Sequence, residues 1–242
     1  MALPTLNTPT YELTLPSSGE KITYRPFLVK EEKVLLMATE GDDSKAMVRA
    51  LTQIVENCTM GKIKAEDHPL FDLEYIFLKL RGKSIGETVE PTYKSPDCDK
   101  PIILKIDLND IEVVKAEGHT NKVELTDSIG LTMRYPSLKQ AEMAPNMNPE
   151  DPNFALDVIT DCIDSIYDES QVYSYKDHTR QEMETFVENL TQDQFLKIAK
   201  FFETMPKLQH ITKYVCPCTG EEKEVTLTGL QDFFGLASAT TT

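Results

Sequence analysis

The chain has 242 residues, and 25 Lys+Arg against 40 Asp+Glu give it a formal charge of −15, the opposite of the basic excess that phosphate-tracking proteins use to displace counterions; nucleic acid is not an expected partner. At 40% hydrophobic and 27% charged residues the composition is that of a globular protein of one large or two small domains, not of a disordered chain. Apolar runs such as Val34-Leu35-Leu36-Met37-Ala38 fall far short of the roughly 20 residues that span a bilayer, so no membrane partner is expected either.

The opening Met1-Ala2-Leu3-Pro4-Thr5 lacks the basic and apolar regions of a signal peptide, and five cysteines, an odd number, fit a reducing compartment better than a disulfide framework. The expected location is a cytoplasm.

Tyr11 to Leu15 and Lys21 to Arg25 alternate on either side of Pro16-Ser17-Ser18-Gly19, which predicts a β-hairpin. From Leu28 to Met37 the composition turns helical. Met47, Leu51, Ile54, Val55 and Cys58 then fall at steps of three and four, as do Leu70, Leu73, Phe77 and Leu80, predicting two further helices with packing faces. After Gly82 and Gly86 the residues become strand-like: Glu87 to Val89 and Pro101 to Ile106, joined by the polar turn Ser95-Pro96-Asp97-Cys98-Asp99-Lys100, then Lys122 to Leu125 and Gly130 to Tyr135. Ala144 to Pro152, with three prolines and two asparagines, is the expected linker.

Helices are expected to dominate from about Asn153 to Met205. Ile159, Cys162 or Ile163, and Ile166 form one apolar stripe, and Thr179-Arg180-Gln181-Glu182 and Thr191-Gln192-Asp193-Gln194 match the capping box. Pro206 stops the last helix. Leu208 to Val215, the turn Cys216-Pro217-Cys218 and Glu222 to Thr228 follow, then Gly229-Leu230-Gln231-Asp232-Phe233-Phe234, whose aromatics are expected to seal the domain's own core. The tail Ala237 to Thr242 is expected to fray.

Cys98 lies ten residues before Leu108 and Cys218 nine before Leu227, a weak repeat with two related halves as one reading and two unrelated hairpins as the other. The expected fold class is therefore mixed α+β in two halves, each a helical cluster with a small antiparallel sheet and a cysteine turn. The boundaries fall at 1–143, the linker 144–152, 153–236 and the tail 237–242.

A structural zinc site needs four soft or imidazole ligands, usually as paired C-x2-4-C knuckles. Cys216-Pro217-Cys218 is one residue too tight and the first turn has only Cys98. These three cysteines are weak metal candidates, no cofactor is expected, and the turns read as reduced or vestigial knuckles. Asp157, Asp161, Asp164 and Asp168 follow at steps of four, three and four, which on a helix from 154 to 168 places four carboxylates on one face. A solvated acidic face is the common outcome of such a stripe, because calcium and magnesium sites usually draw on loop carbonyls or phosphate. Between 139 and 190 stand twelve acidic and three basic residues, a concentration of charge that suggests docking on a basic protein surface. Catalytic signatures are missing: no phosphate loop, dinucleotide fingerprint, G-x-S-x-G elbow or H-E-x-x-H helix can be written. An enzyme is not expected, and a small-molecule substrate is not an expected partner.

The string Tyr11 to Gly19 followed by Tyr24-Arg25-Pro26-Phe27-Leu28-Val29-Lys30-Glu31-Glu32-Lys33-Val34-Leu35-Leu36-Met37-Ala38 resembles the opening of the T4-type bacteriophage base-plate protein family. Cys216-Pro217-Cys218 through Glu224-Val225-Thr226-Leu227 to Phe234 resembles the same family's ending. The resemblance implies a baseplate hub subunit or hub-assembly chaperone of a tailed phage, made in the infected host cytoplasm and a candidate for the virion baseplate. It implies other baseplate and tail proteins as partners. The contact residues proposed on this reading are Tyr24, Arg25, Lys30, Glu31 and Lys33 around the first helix and Asp157, Asp161, Asp164 and Asp168 beyond the linker. A zinc-ribbon-like adaptor binding host or phage machinery is the alternative, and a dispersed hydrolytic site a weaker rival.

Overall fold

Tyr11–Thr14 (β1) and Lys21–Tyr24 (β2) pair antiparallel, Leu13 opposite Ile22. The turn between them closes with the Leu15 N–H donating to the Glu20 carbonyl at 2.8 Å and the Gly19 N–H to the Leu15 carbonyl at 2.9 Å. Gly19 takes a φ of +72° that only glycine adopts without strain. The same local sequence, x-Pro-x-x-Gly-Glu, recurs from Cys216 to Glu221, where the same two bonds form at 2.9 Å each and Gly220 also sits at φ +72°. Two distant segments thus make one kind of turn because the same residue types stand at the positions that need them.

Residues 6–39, 44–95, 98, 100–138 and 152–234 are described by this structure, a computed structural model. They form two compact units, the first combining Met1–Val114 with Lys207–Thr242, the second Lys115–Pro206. This partition differs from halves split at 144–152: residues 144–151 and the tail from 235 lie outside the described residues, and Pro152 already begins a helix.

In the first unit the hairpin is followed by α1 (Val29–Thr39), which composition predicts, and by α2 (Ser44–Cys58) and α3 (Leu70–Ser84), which periodicity predicts. The buried face of α2 is Ala50, Leu51, Ile54, Val55 and Cys58. Helix α3 buries Phe71, Leu73, Ile76, Phe77, Leu78 and Leu80, which point to more than one side; such a helix needs neighbours all round. Its neighbours include α2 and three elements from beyond its C-terminus. These are Glu112–Val114 (β7), Lys207–Val215 (β12) and Gly229–Phe234 (α7). Strand β12 lies between β7 and Glu222–Thr228 (β13) in a three-stranded antiparallel sheet. Thr88–Val89 (β3) pairs with Ile106–Asp107 (β6), and Thr92–Lys94 (β4) with Pro101–Ile103 (β5), so the predicted strand pair around Cys98 forms as two short ladders.

The second unit carries a four-stranded antiparallel sheet in the order β11-β10-β9-β8, from Val172–Ser174 (β11), Ile163–Tyr167 (β10), Gly130–Met133 (β9) and Lys122–Glu124 (β8). Leu131, Met133, Ile159, Cys162, Ile163, Met183, Val187, Ile198 and Phe201 form its core with the helices α4 (Pro152–Cys162), α5 (Arg180–Glu188) and α6 (Gln192–Thr204). Both predicted capping boxes are present, Thr179 with Glu182 and Thr191 with Gln194. The expected helix from 154 to 168 is corrected: it stops at Cys162, and Ile163-Asp164-Ser165-Ile166-Tyr167 is a strand against β9. The reason is local. Ile163 and Ser165 turn to the buried face while Asp164 stands exposed, the alternation of a strand, and β-branched isoleucines favour that state. Fold class is mixed α+β, as expected.

Phe233 on α7 is fully buried, and the α7 amide of Leu230 donates to the Glu74 carboxylate at 3.2 Å. Burial pushes the Glu74 carboxyl up to about 7, with the Leu230 N–H pulling the other way. The folded state therefore holds this proton more tightly than the unfolded chain does. Its contribution is greatest below the ordinary glutamate value of 4.5 and is lost as pH rises through about 7. The Glu74→Gln variant is expected to match the parent near pH 4 and to exceed it at pH 8 by up to roughly 3 kcal/mol, each tenfold gain in proton affinity being worth about 1.4 kcal/mol. Urea unfolding at the two pH values checks this, and equal pH slopes for variant and parent would contradict it.

Candidate functional site

The first group of predicted contact residues surrounds the start of α1, and the fold uses three of the five internally. Tyr24 is buried with its ring 5.7 Å from that of Tyr11. Glu31 is 1% exposed and accepts the Leu28 N–H at 2.9 Å, so it satisfies an amide at the mouth of α1. Arg25 Nη2 lies 2.9 Å from Glu31 Oε1, and its Nη1 also donates to the Pro26 carbonyl at 3.0 Å. Burial pushes the Glu31 carboxyl up, but the Arg25 hydrogen bond and the Leu28 amide outweigh it and leave the group below its ordinary value. Arg25 is held above its ordinary value, chiefly by the hydrogen bond to Glu31. These side chains secure the turn into α1 and are not exposed contact groups. Lys30, whose Nζ also lies 3.5 Å from Glu31 Oε1, and Lys33 remain at the surface beside Val29, Leu36 and Met37, which are 83%, 58% and 64% exposed.

The acidic group does not form a single face. Asp157 and Asp161 stand one turn apart on α4 and both meet Arg180 of α5, at 2.7 Å each, while Arg180 Nε reaches Glu184 at 2.6 Å. Three carboxylates around one guanidinium leave a net of two negative charges. Asp164 is exposed on β10. Asp168 closes the turn into β11, accepting from the Ser170 N–H and hydroxyl, the Gln171 N–H and the Tyr173 hydroxyl. The Ser170 hydroxyl leads the set of bonds that holds its carboxyl far below the usual range. The stripe dissolves because the helical spacing that would align it ends at Cys162. Arg180 was legible only as part of a capping box; the signal for its larger role is that it is one of just three basic residues between 139 and 190.

The cysteine turns come together in the first unit. Cys98 and Cys218 form a disulfide, contrary to what the odd cysteine count suggests, and Cys216 keeps its thiol beside them, all three sulfurs lying within 4.8 Å of one another. The odd count is accommodated because Cys58 and Cys162 are buried thiols, burial pushing them up to about 11 and about 12. Cys216 differs: the backbone N–H groups of Thr219 and Cys218 bring its thiol down to about 7 despite burial. Ser95, fully buried, places its hydroxyl 3.7 Å from Cys216 Sγ. Sequence spacing could not show this convergence, since the two turns are 120 residues apart.

Among the described residues one Ser, Asp and His group assembles, but not in a nucleophile-base order. Ser17 donates through both N–H and hydroxyl to the buried Asp72 carboxylate, and His68 Nδ1 lies 3.9 Å from that same carboxylate. The serine thus meets the acid instead of the imidazole, and the contact ties the β1–β2 turn to α3. His119 is likewise enclosed, between Thr204 and Tyr135 hydroxyls at 2.9 and 3.1 Å and stacked on Phe201.

A family model described as T4 bacteriophage base plate protein matches residues 8–235. The chain belongs to this family. The match spans both compact units and both cysteine turns, and it makes the chain a phage baseplate protein. No curated protein and no solved structure gives a match. Among the described residues of this base plate protein no helix is long and apolar enough to cross a membrane.

The Arg180 cluster gives a direct test of how the acidic surface is held. Exposed pairs contribute about 0.2–1 kcal/mol each, so Arg180→Ala is expected to cost the folded state about 1 kcal/mol in low salt. High salt should shrink the loss, because the Asp157 and Asp161 repulsion it uncovers is screened. Thermal unfolding of both proteins across a salt series measures it; a loss that grows with salt would contradict the assignment.

Proposed function

We propose that this base plate protein is a hub component or hub-assembly chaperone that works by binding other phage baseplate and tail proteins and carries out no covalent chemistry. The observation that carries the binding mode is α1. Val29, Lys33, Leu36 and Met37 recur at steps of four, three and one, so they share one side of the helix, and the three apolar members stand largely in water. Exposed apolar side chains ringed by charge are what a protein interface buries. Lys30 and Lys33 at its margin would set register against an acidic patch of the partner. Asp164, together with the negative cluster around Arg180, is the proposed second contact, for a basic partner surface.

The test has two parts. Quantitative proteomics of purified virions against infected-cell lysate is expected to find the chain in stoichiometric amounts in the particle if it is a hub part, or bound to baseplate proteins only in lysate if it is a chaperone. A Leu36→Asp/Met37→Asp variant with parental thermal stability is expected to lose more than about tenfold in capture of those proteins, the loss of a central apolar anchor being worth at least about 1.4 kcal/mol. A chain that associates with baseplate proteins in neither fraction, or a variant captured as well as the parent, would overturn the proposal.

A further inference from the structure

The cluster of one disulfide and one thiol is a built site of a kind that neither the family match nor the contact surface explains. Two hairpin turns bring Cys98, Cys216 and Cys218 together; as residues Cys216 is buried, Cys98 half-buried and Cys218 exposed, so the group reaches from the interior to the surface. Cys216 is the anchor. It is fully buried, its sulfur accepts from the backbone N–H groups of Thr219 and Cys218, and the Ser95 hydroxyl lies 3.7 Å from it. Cys58 and Cys162 are buried elsewhere, and neither belongs to the cluster.

Zinc bound by thiolates at about 2.3 Å in a tetrahedron sets its sulfurs about 3.8 Å apart. The cluster already lies inside 4.8 Å, so the only pair that must separate is Cys98 and Cys218. That step is a reduction: a dithiol gives two electrons and two protons to the S–S bond, becomes a disulfide itself, and leaves Cys98 and Cys218 as thiols. Three thiolates can then bind one dication, and the sulfur-bound protons pass to solvent.

We propose that the reduced chain binds one zinc ion through Cys98, Cys216 and Cys218, with water on the exposed side as the fourth ligand. The ion clamps the β4–β5 turn to the β12–β13 turn, the same two turns that the disulfide joins when the cluster is oxidised. Zinc and disulfide are therefore alternative fasteners of one joint. The sequence hides this because the usual C-x2-C pair is split: Ser95 stands in the first turn where Cys216 stands in the second, each donating its N–H five residues on, to Lys100 and Glu221. Cys218 then supplies a ligand from a different position of its turn. This inference does not rest on the hub reading.

The test uses the full chain reduced with dithiothreitol and desalted without air. Titration with zinc, followed by native mass spectrometry and elemental analysis, is expected to give about one zinc per chain, with Cys98, Cys216 and Cys218 protected from alkylation. Cobalt in place of zinc is expected to show thiolate-to-metal charge-transfer absorption and the d–d bands of a tetrahedral site. Single Cys→Ser changes at 98, 216 or 218 are expected to weaken zinc by more than about 100-fold, beyond what outer-shell losses cost. Cys58→Ala and Cys162→Ala are expected to leave it unchanged. A reduced, folded chain that binds zinc no better than the Cys98→Ser/Cys216→Ser/Cys218→Ser variant would overturn the proposal. So would reformation of the Cys98–Cys218 bond in the presence of excess zinc.

Discussion

The pairing of β12 with β7 is the contact on which the first unit depends. Lys207 to Gln209 register against Val114 to Glu112, and this brings the C-terminal segment back to the N-terminal one across the whole of the second unit, Lys115–Pro206. Closing a flexible loop of roughly 90 residues costs about 4 kcal/mol in chain entropy. The returning segment offsets that by burying Leu208, Val225, Leu227 and Phe233, each worth about 2 kcal/mol. Once closed, the segment covers the sides of α3 that α2 does not reach, sets α7 against Glu74, and delivers Cys216 and Cys218 to Cys98. The core, the buried carboxyl and the sulfur cluster are consequences of one return of the chain.

Sequence legibility follows the range of the forces involved. Hairpin β1–β2, helices α1 to α3, both capping boxes and hairpin β12–β13 are specified by residues within a turn or two of each other, and all were readable. Strand β7 was not. Glu112-Val113-Val114 is three residues long and has no periodicity to show; it is a strand because β12 arrives. Strand β10 failed for a different reason: Ile163, Asp164 and Ile166 continue the three- and four-residue steps of the preceding helix, and only pairing with β9 and β11 overrides that spacing. In the site, Glu31 and Lys33 look alike in sequence as charged residues opening a helix. One turns inward to Arg25 and the other outward to water, a difference set by where β2 delivers the guanidinium.

Several charged groups of this base plate protein are committed to its own architecture. Arg25 with Glu31, Asp72 with Ser17, and Arg180 with three carboxylates all fasten one element of the chain to another. What is left at the surface of α1 is apolar and flanked by lysine, which suits a protein that is a part among parts. The fasteners are also of kinds that respond to conditions: a carboxyl that titrates near 7 and a sulfur cluster that responds to reduction both hold the returning segment.

The most direct measurement of this account is hydrogen exchange by mass spectrometry on the full chain and on a chain ending at Pro206. If the return of β12 closes the first unit, the shortened chain loses amide protection through α3 and from Ile106 to Val114, while α5, α6 and the β8–β11 sheet of the second unit keep theirs. Protection of α3 that survives removal of residues 207–242 would contradict it.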